Sequence, residues 1–74
     1  MIPYSDSVWL FPFGAGPDLR CPVQVFRNGL GVFMGHECRL VRVGKVHPAV
    51  VAVLTPPTRP GDVVQASYVA EGAR

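Results

Sequence analysis

The sequence predicts an all-β fold: a small antiparallel β-sandwich or barrel of about six strands. Eight Gly and eight Pro cut the 74 residues into short pieces. No window keeps a 3.6-residue apolar period long enough for a stable helix. Val, Phe, Tyr and Trp fill the pieces, and these residues suit a pleated surface. Turn residues recur about every 8 to 12 positions, the spacing of a small sandwich or barrel.

The first expected strand is Val8 to Phe13, in which Trp9, Phe11 and Phe13 alternate with Val8, Leu10 and Pro12. Three aromatics then line one face, because strand side chains alternate. Gly14 to Asp18 reads as a loop, and Val23 to Arg27 as a second strand. Asn28-Gly29 follows, and both residue types tolerate φ > 0, which a type I′ hairpin turn demands. Leu30 to Met34 is the expected return strand, with Gly31 its weak point. In that register Arg27 faces Leu30, Val25 faces Val32 and Val23 faces Met34. Continued outward, Cys21 would face His36. Gly35 breaks the run, Cys38 to Val43 makes a fourth strand, and Gly44-Lys45 turns the chain. Ala49 to Thr55 is a fifth strand, Pro56 to Gly61 a rigid loop and Val63 to Ala70 the last strand. The expected organisation is one domain: an N-terminal arm and first strand at 1–22, a hairpin and sandwich module at 23–70, and a frayed tail at 71–74.

Composition limits function. A chain this short buries only about 60% of the surface it exposes when unfolded. Yet 49% of its residues are hydrophobic and 16% charged. The apolar surplus points to assembly with other subunits. Net charge is +2, without the dense basic stripe of a nucleic-acid module. Arg20, Arg27, Arg39, Arg42 and Lys45 cluster mid-chain and read as a solvated strand face. Met1 to Asp6 lacks the basic and apolar regions of a signal peptide. The run Ala49 to Leu54 is far below the roughly 20 residues of a membrane helix. Synthesis in the cytoplasm is expected, with Cys21 and Cys38 as thiols rather than a disulfide.

Two pieces of sequence together resemble a module of tailed-bacteriophage virion proteins. The first is Val25-Phe26-Arg27-Asn28-Gly29-Leu30, then four residues, then Gly35-His36-Glu37-Cys38-Arg39-Leu40. The second is the Pro-rich loop ending in Gly61-Asp62, with a final strand reaching Ala66-Ser67-Tyr68. Such modules read as aromatic-Arg-Asn-Gly-Leu, four residues, Gly-x-Asp-Tyr-Thr-Leu, then Pro-x-x-Gly-Asp and Ala-Ser-Tyr. Glu37 stands here for the module's Asp and Cys38 for its Tyr, and the 44–49 segment is longer. The resemblance implies a small non-enzymatic β-sandwich, without catalytic residues, used in capsid decoration or as a neck, tail or fibre accessory.

The residues alone give the same division. Cys21, His36, Cys38 and His47 are metal-ligand types, but none of the usual zinc spacings is present. Cys38 has His36 near it but no recognisable oxyanion-binding partner. Gly14-Ala15-Gly16 is followed by Pro17 and opens no helix, so no phosphate loop forms. No cofactor and no metal are expected. A small β-barrel binding single-stranded nucleic acid is the rival reading, since aromatics and arginines coexist. Against it, Phe26 and Arg27 fall on opposite strand faces, as do Arg39 and Arg42.

The expectation is therefore a virion structural protein made in the bacterial host cytoplasm. It would assemble in high copy with capsid, tail or neck proteins or with itself, without membrane or nucleic acid. The head surface suits a free-standing 74-residue domain; neck and tail positions stay open. Asn28, Gly29, Gly35, Gly61 and Asp62 are the expected turn and structural residues. Trp9, Phe11, Phe13, Phe33 and Met34 are the expected interface candidates.

Overall fold

A computed structural model describes residues 1–12, 16–44 and 49–71. Its described residues form strands and turns and no helix. In chain order the strands are β1 (Ile2–Pro3), β2 (Val8–Leu10), β3 (Gln24–Arg27), β4 (Leu30–Gly31), β5 (Cys38–Val43), β6 (Ala49–Leu54) and β7 (Val64–Ser67). They make two antiparallel sheets, a four-stranded one in the order β1-β2-β6-β5 and a three-stranded one in the order β4-β3-β7.

The core lies between the sheets. Trp9, Cys38, Ala52 and Leu54 come from the large sheet, and Val25 and Val64 from the small one. Trp9 stands opposite Ala52, and Cys38 opposite Leu54. Directly opposed residues point to the same side, so this is the inner face. Burying one such aliphatic side chain contributes about 1.5–3 kcal/mol. Phe11 extends the same side and meets Tyr68 edge to face, with ring centroids 5.0 Å apart.

The hairpin forms at Asn28-Gly29, with φ of 54° and 83°. Positive φ at both positions is what the type I′ turn requires. Arg27 faces Leu30 as expected, and the Val32 N–H donates to the Val25 carbonyl at 3.0 Å.

Several expected elements differ. The Leu30 to Met34 strand shrinks to Leu30–Gly31. A turn at Gly35–Glu37 draws the chain toward β5: His36 and Glu37 donate to the Phe33 carbonyl, and Met34 bridges Cys38 in parallel. Val23 therefore does not pair with Met34, nor Cys21 with His36. The last strand is Val64–Ser67 rather than Val63 to Ala70, and Ala70 instead bridges Pro17. Ile2–Pro3 is an additional short strand on β2. The N-terminal arm is thus an integral part of the large sheet, because β2 pairs with β6. Phe13, Lys45, His47 and the tail beyond Glu71 lie outside the described residues.

Candidate interaction face

Strand alternation gives the large sheet a second face. Its residues are the odd positions of β5 and β6 and the even positions of β1 and β2. Ile2 stands opposite Leu10, Leu10 opposite Val51, and Val51 opposite Val41. One row of aliphatic side chains therefore crosses all four strands, exposed at its ends in Ile2 and Val41, half-buried at Leu10 and buried at Val51, which its neighbours already cover to 6% exposure. Val8 opposite Val53 and Val43 opposite Ala49 extend it on either side. The sole charged residue in these paired positions is Arg39, opposite Val53. Ile2 is 53% exposed, Val43 44% and Val41 38%. An antiparallel sheet usually carries polar residues on a solvent face.

Trp9 and Phe11, expected at an interface, are 6% and 7% exposed and belong to the chain's own interior. Burial leaves them little surface for a partner. Their strand neighbours Val8 and Leu10 point outward instead. Phe33 is 73% exposed and Met34 is half-buried against the core. Both border a shallow, open hollow with Gln24, Gly31 and Val32. In residues 8–13 the bulkier aromatic parity masks the aliphatic one, so this row is not evident from that segment. The available signal was Ala49 to Leu54, which is apolar at every position. Such a strand has two apolar faces and needs cover on both.

The expected structural residues gather at one end. The Asp62 carboxylate accepts from Arg27 at 3.0 Å, from the Asn28 side-chain amide at 3.0 Å and from the Arg59 N–H at 2.9 Å. The Asn28 side-chain oxygen accepts the Val63 N–H at 2.9 Å. Arg27 also donates to the carbonyls of Pro56 and Pro57, at 2.6 and 2.9 Å. These bonds hold Asp62 well below its ordinary 3.8, at about 2; the Arg59 backbone N–H contributes most, then Asn28, then Arg27. Gly35 and Gly61 occupy their turns with φ of 91° and 94°. On the other side of the loop, Trp9 Nε1 donates to Thr58 Oγ1 at 3.2 Å, and Thr58 Oγ1 donates to the Asp6 carbonyl at 2.8 Å. The Pro-rich loop thus clasps the hairpin of one sheet to the N-terminal strands of the other.

Arg27 is consequently not part of a solvated strand face: its side chain is 19% exposed and paired with Asp62. Arg20 pairs with the buried Asp18 at 3.1 Å. Arg39 and Arg42 are exposed and point to opposite sides of β5, opposite Val53 and Val50. Phe26, opposite Gln65, lies on the outer side of the small sheet. Arginines and aromatics do not share one face there.

His36 and Glu37 sit in the turn before β5. Glu37 Oε1 accepts the Phe33 N–H at 3.2 Å and fastens that turn. Cys38 is buried, and burial pushes its thiol pKa up, away from thiolate reactivity. Neither Cys21 nor Cys38 forms a disulfide among the described residues. No group of three or more His, Cys, Asp or Glu able to hold a metal occurs among the described residues. No helix among them is long and apolar enough to cross a membrane. No protein-family model, curated protein or solved structure matches the chain.

Proposed function

We propose that this protein is a non-enzymatic structural subunit of a tailed-bacteriophage virion, on the capsid surface or as a neck or tail accessory. It acts by burying the outer face of its four-stranded sheet against a neighbouring subunit. The observation that carries this reading is the row Ile2–Leu10–Val51–Val41, aliphatic across every strand. A partner sheet laid on that face would sit about 10 Å away, the usual spacing of packed sheets. A stable contact takes about 800 Å² from each partner, roughly a sixth of this chain's 5201 Å².

The virion assignment draws its support from the sequence resemblance. Among the residues that carry the resemblance, Arg27, Asn28 and Asp62 tie the hairpin to the Pro-rich loop, which Thr58 in turn joins to Trp9 and Asp6 beside the other sheet. A motif that fixes a scaffold, rather than a reaction centre, suits a subunit whose work is contact.

Mass spectrometry of purified particles tests the reading. The protein is expected in the particle at a stoichiometry fixed to a capsid, neck or tail component. Its absence from particles would contradict the proposal. The nucleic-acid reading makes the opposite forecast, tight binding to an oligothymidine strand at physiological salt. Here binding is expected to be weak and to vanish steeply as salt rises.

A further inference from the structure

The large sheet ends at β5, a six-residue edge strand. Hydrogen bonds alternate along an antiparallel ladder. The Thr55 N–H donates to the Glu37 carbonyl at 2.9 Å, in the register that pairs Cys38 with Leu54. Counting in twos, Arg39, Val41 and Val43 bond to β6, whereas Cys38, Leu40 and Arg42 turn their backbone groups to the open side. The Cys38 carbonyl is taken by the Gly35 N–H at 2.7 Å. Leu40 and Arg42 thus present their N–H and C=O groups beyond the last strand of the sheet.

The side chains along this edge carry a pattern. Arg39 lies on the outer face with Val41 and Val43, and Arg42 on the inner face with Leu40. Both arginines are exposed. Neither makes an ion pair among the described residues, where Arg20 and Arg27 take Asp18 and Asp62. Unpaired edge groups are a template for an added strand, and opposite charges facing across strands favour the pairing.

We infer that β5 accepts an extended acidic segment of another protein as a fifth strand of the large sheet. Running antiparallel, the segment reads aliphatic, acidic, aliphatic, aliphatic, acidic, with its acidic residues facing Arg42 and Arg39. Its aliphatic residues cover Val43, Val41 and Leu40. A second copy of this chain does not supply such a segment. Its acidic residues are Asp6, Asp18, Glu37, Asp62 and Glu71, and no two of them lie three apart. β5 laid against β5 of a copy would instead crowd four arginines on one seam. The edge adjoins the aliphatic face, but its chemistry is independent of whether the protein belongs to a virion.

A titration of the isotope-labelled full chain with capped peptides, followed by amide resonances at physiological salt, tests the inference. The probe is Thr-Val-Glu-Val-Val-Glu-Thr. One control has Lys in place of both Glu. The other carries N-methyl groups on the first Glu and the second of the two adjacent Val residues, whose N–H groups would face Arg42 and Leu40. Shifts are expected at Leu40 and Arg42, with the Glu peptide binding about tenfold tighter than the Lys peptide and the methylated peptide not binding. Arg39→Glu combined with Arg42→Glu should reverse the charge preference. Equal binding of the three peptides, shifts centred away from β5, or no binding at millimolar peptide would overturn the inference. The methylated-peptide comparison uses the unaltered chain and stands even if the double variant fails to fold.

Discussion

On the outer face of the three-stranded sheet, Gln24 stands opposite Ser67 and Phe26 opposite Gln65. On the outer face of the four-stranded sheet, Leu10 stands between Ile2 and Val51, and Val41 completes the row. Apart from the half-buried Phe26, the paired outer positions of β3 and β7 are polar, so the small sheet is close to the ordinary rule of apolar inside and polar outside. The large sheet is apolar on both sides. Exposed hydrophobics also occur singly elsewhere, at Tyr4, Leu30, Phe33 and Val63, but only on the large sheet do outward aliphatic residues line up across neighbouring strands. What distinguishes the two regions is β6, whose Ala49–Leu54 run carries no polar residue, against Gln24, Gln65 and Ser67 in β3 and β7.

The largest expected effect comes from comparing the two faces of the large sheet. Leu54 is 1% exposed within the core, and Leu54→Ala should cost about 2–5 kcal/mol in urea unfolding. Leu10→Ala on the outer face should cost about 1 kcal/mol or less in the isolated chain. Equal losses would mean that the outer face is packed internally, and the contrast between the sheets would fail.

The clasp comes next. Gly29→Val forces a β-branched residue to a φ of 83° and should cost about 1 kcal/mol or more. A neutral result would mean that the hairpin does not depend on its turn. Arg27→Met removes the bonds to Pro56, Pro57 and Asp62 and should cost about 1–3 kcal/mol.

A smaller effect is pH dependence. Asp62 is held at about 2 against an ordinary 3.8. A carboxylate lowered by folding stabilises the fold fully above its unfolded value, and that contribution is lost as pH falls through the folded value. The stability gap between the native chain and Asp62→Asn should be constant above about pH 5 and shrink between about pH 4 and 2. Denaturant midpoints across this range measure it. A gap that persists at pH 2 would assign Asp62 a role other than its charge.

Much of this architecture is legible in the residues. Cys38 to Val43 is strand β5 to the residue, because Gly35 and Gly44 punctuate its flanks. The Asn28-Gly29 turn fixes its own register through local φ demands. Ile2–Pro3 is less legible, since two residues have no period and are held by β2. The stop of β4 at Gly31 depends on the Gly35–Glu37 turn pulling Met34 to Cys38, a contact between neighbouring elements that local pattern does not encode. The aliphatic outer face is half legible. Composition announced an apolar surplus, but which parity of β2 faces inward is decided by Ala52 and Leu54 across the ladder. Bulk alone favoured the aromatics as the interface; packing placed Trp9 inside because the space between two small sheets needs its volume.

If this protein assembles through the outer face of its large sheet, as proposed, a charge placed on that face should exclude it from particles. The direct measurement compares two single charges on the two outer faces. Val41→Asp lies in the aliphatic row and Gln65→Asp on the polar face of the small sheet. Both sites are exposed, so each change should alter the isolated chain's stability by about 1 kcal/mol or less. Particles grown with each variant are purified and the protein is counted against the major structural component. Val41→Asp should be missing or strongly depleted, while Gln65→Asp is present at the native copy number. Incorporation of Val41→Asp at the native level would contradict the account.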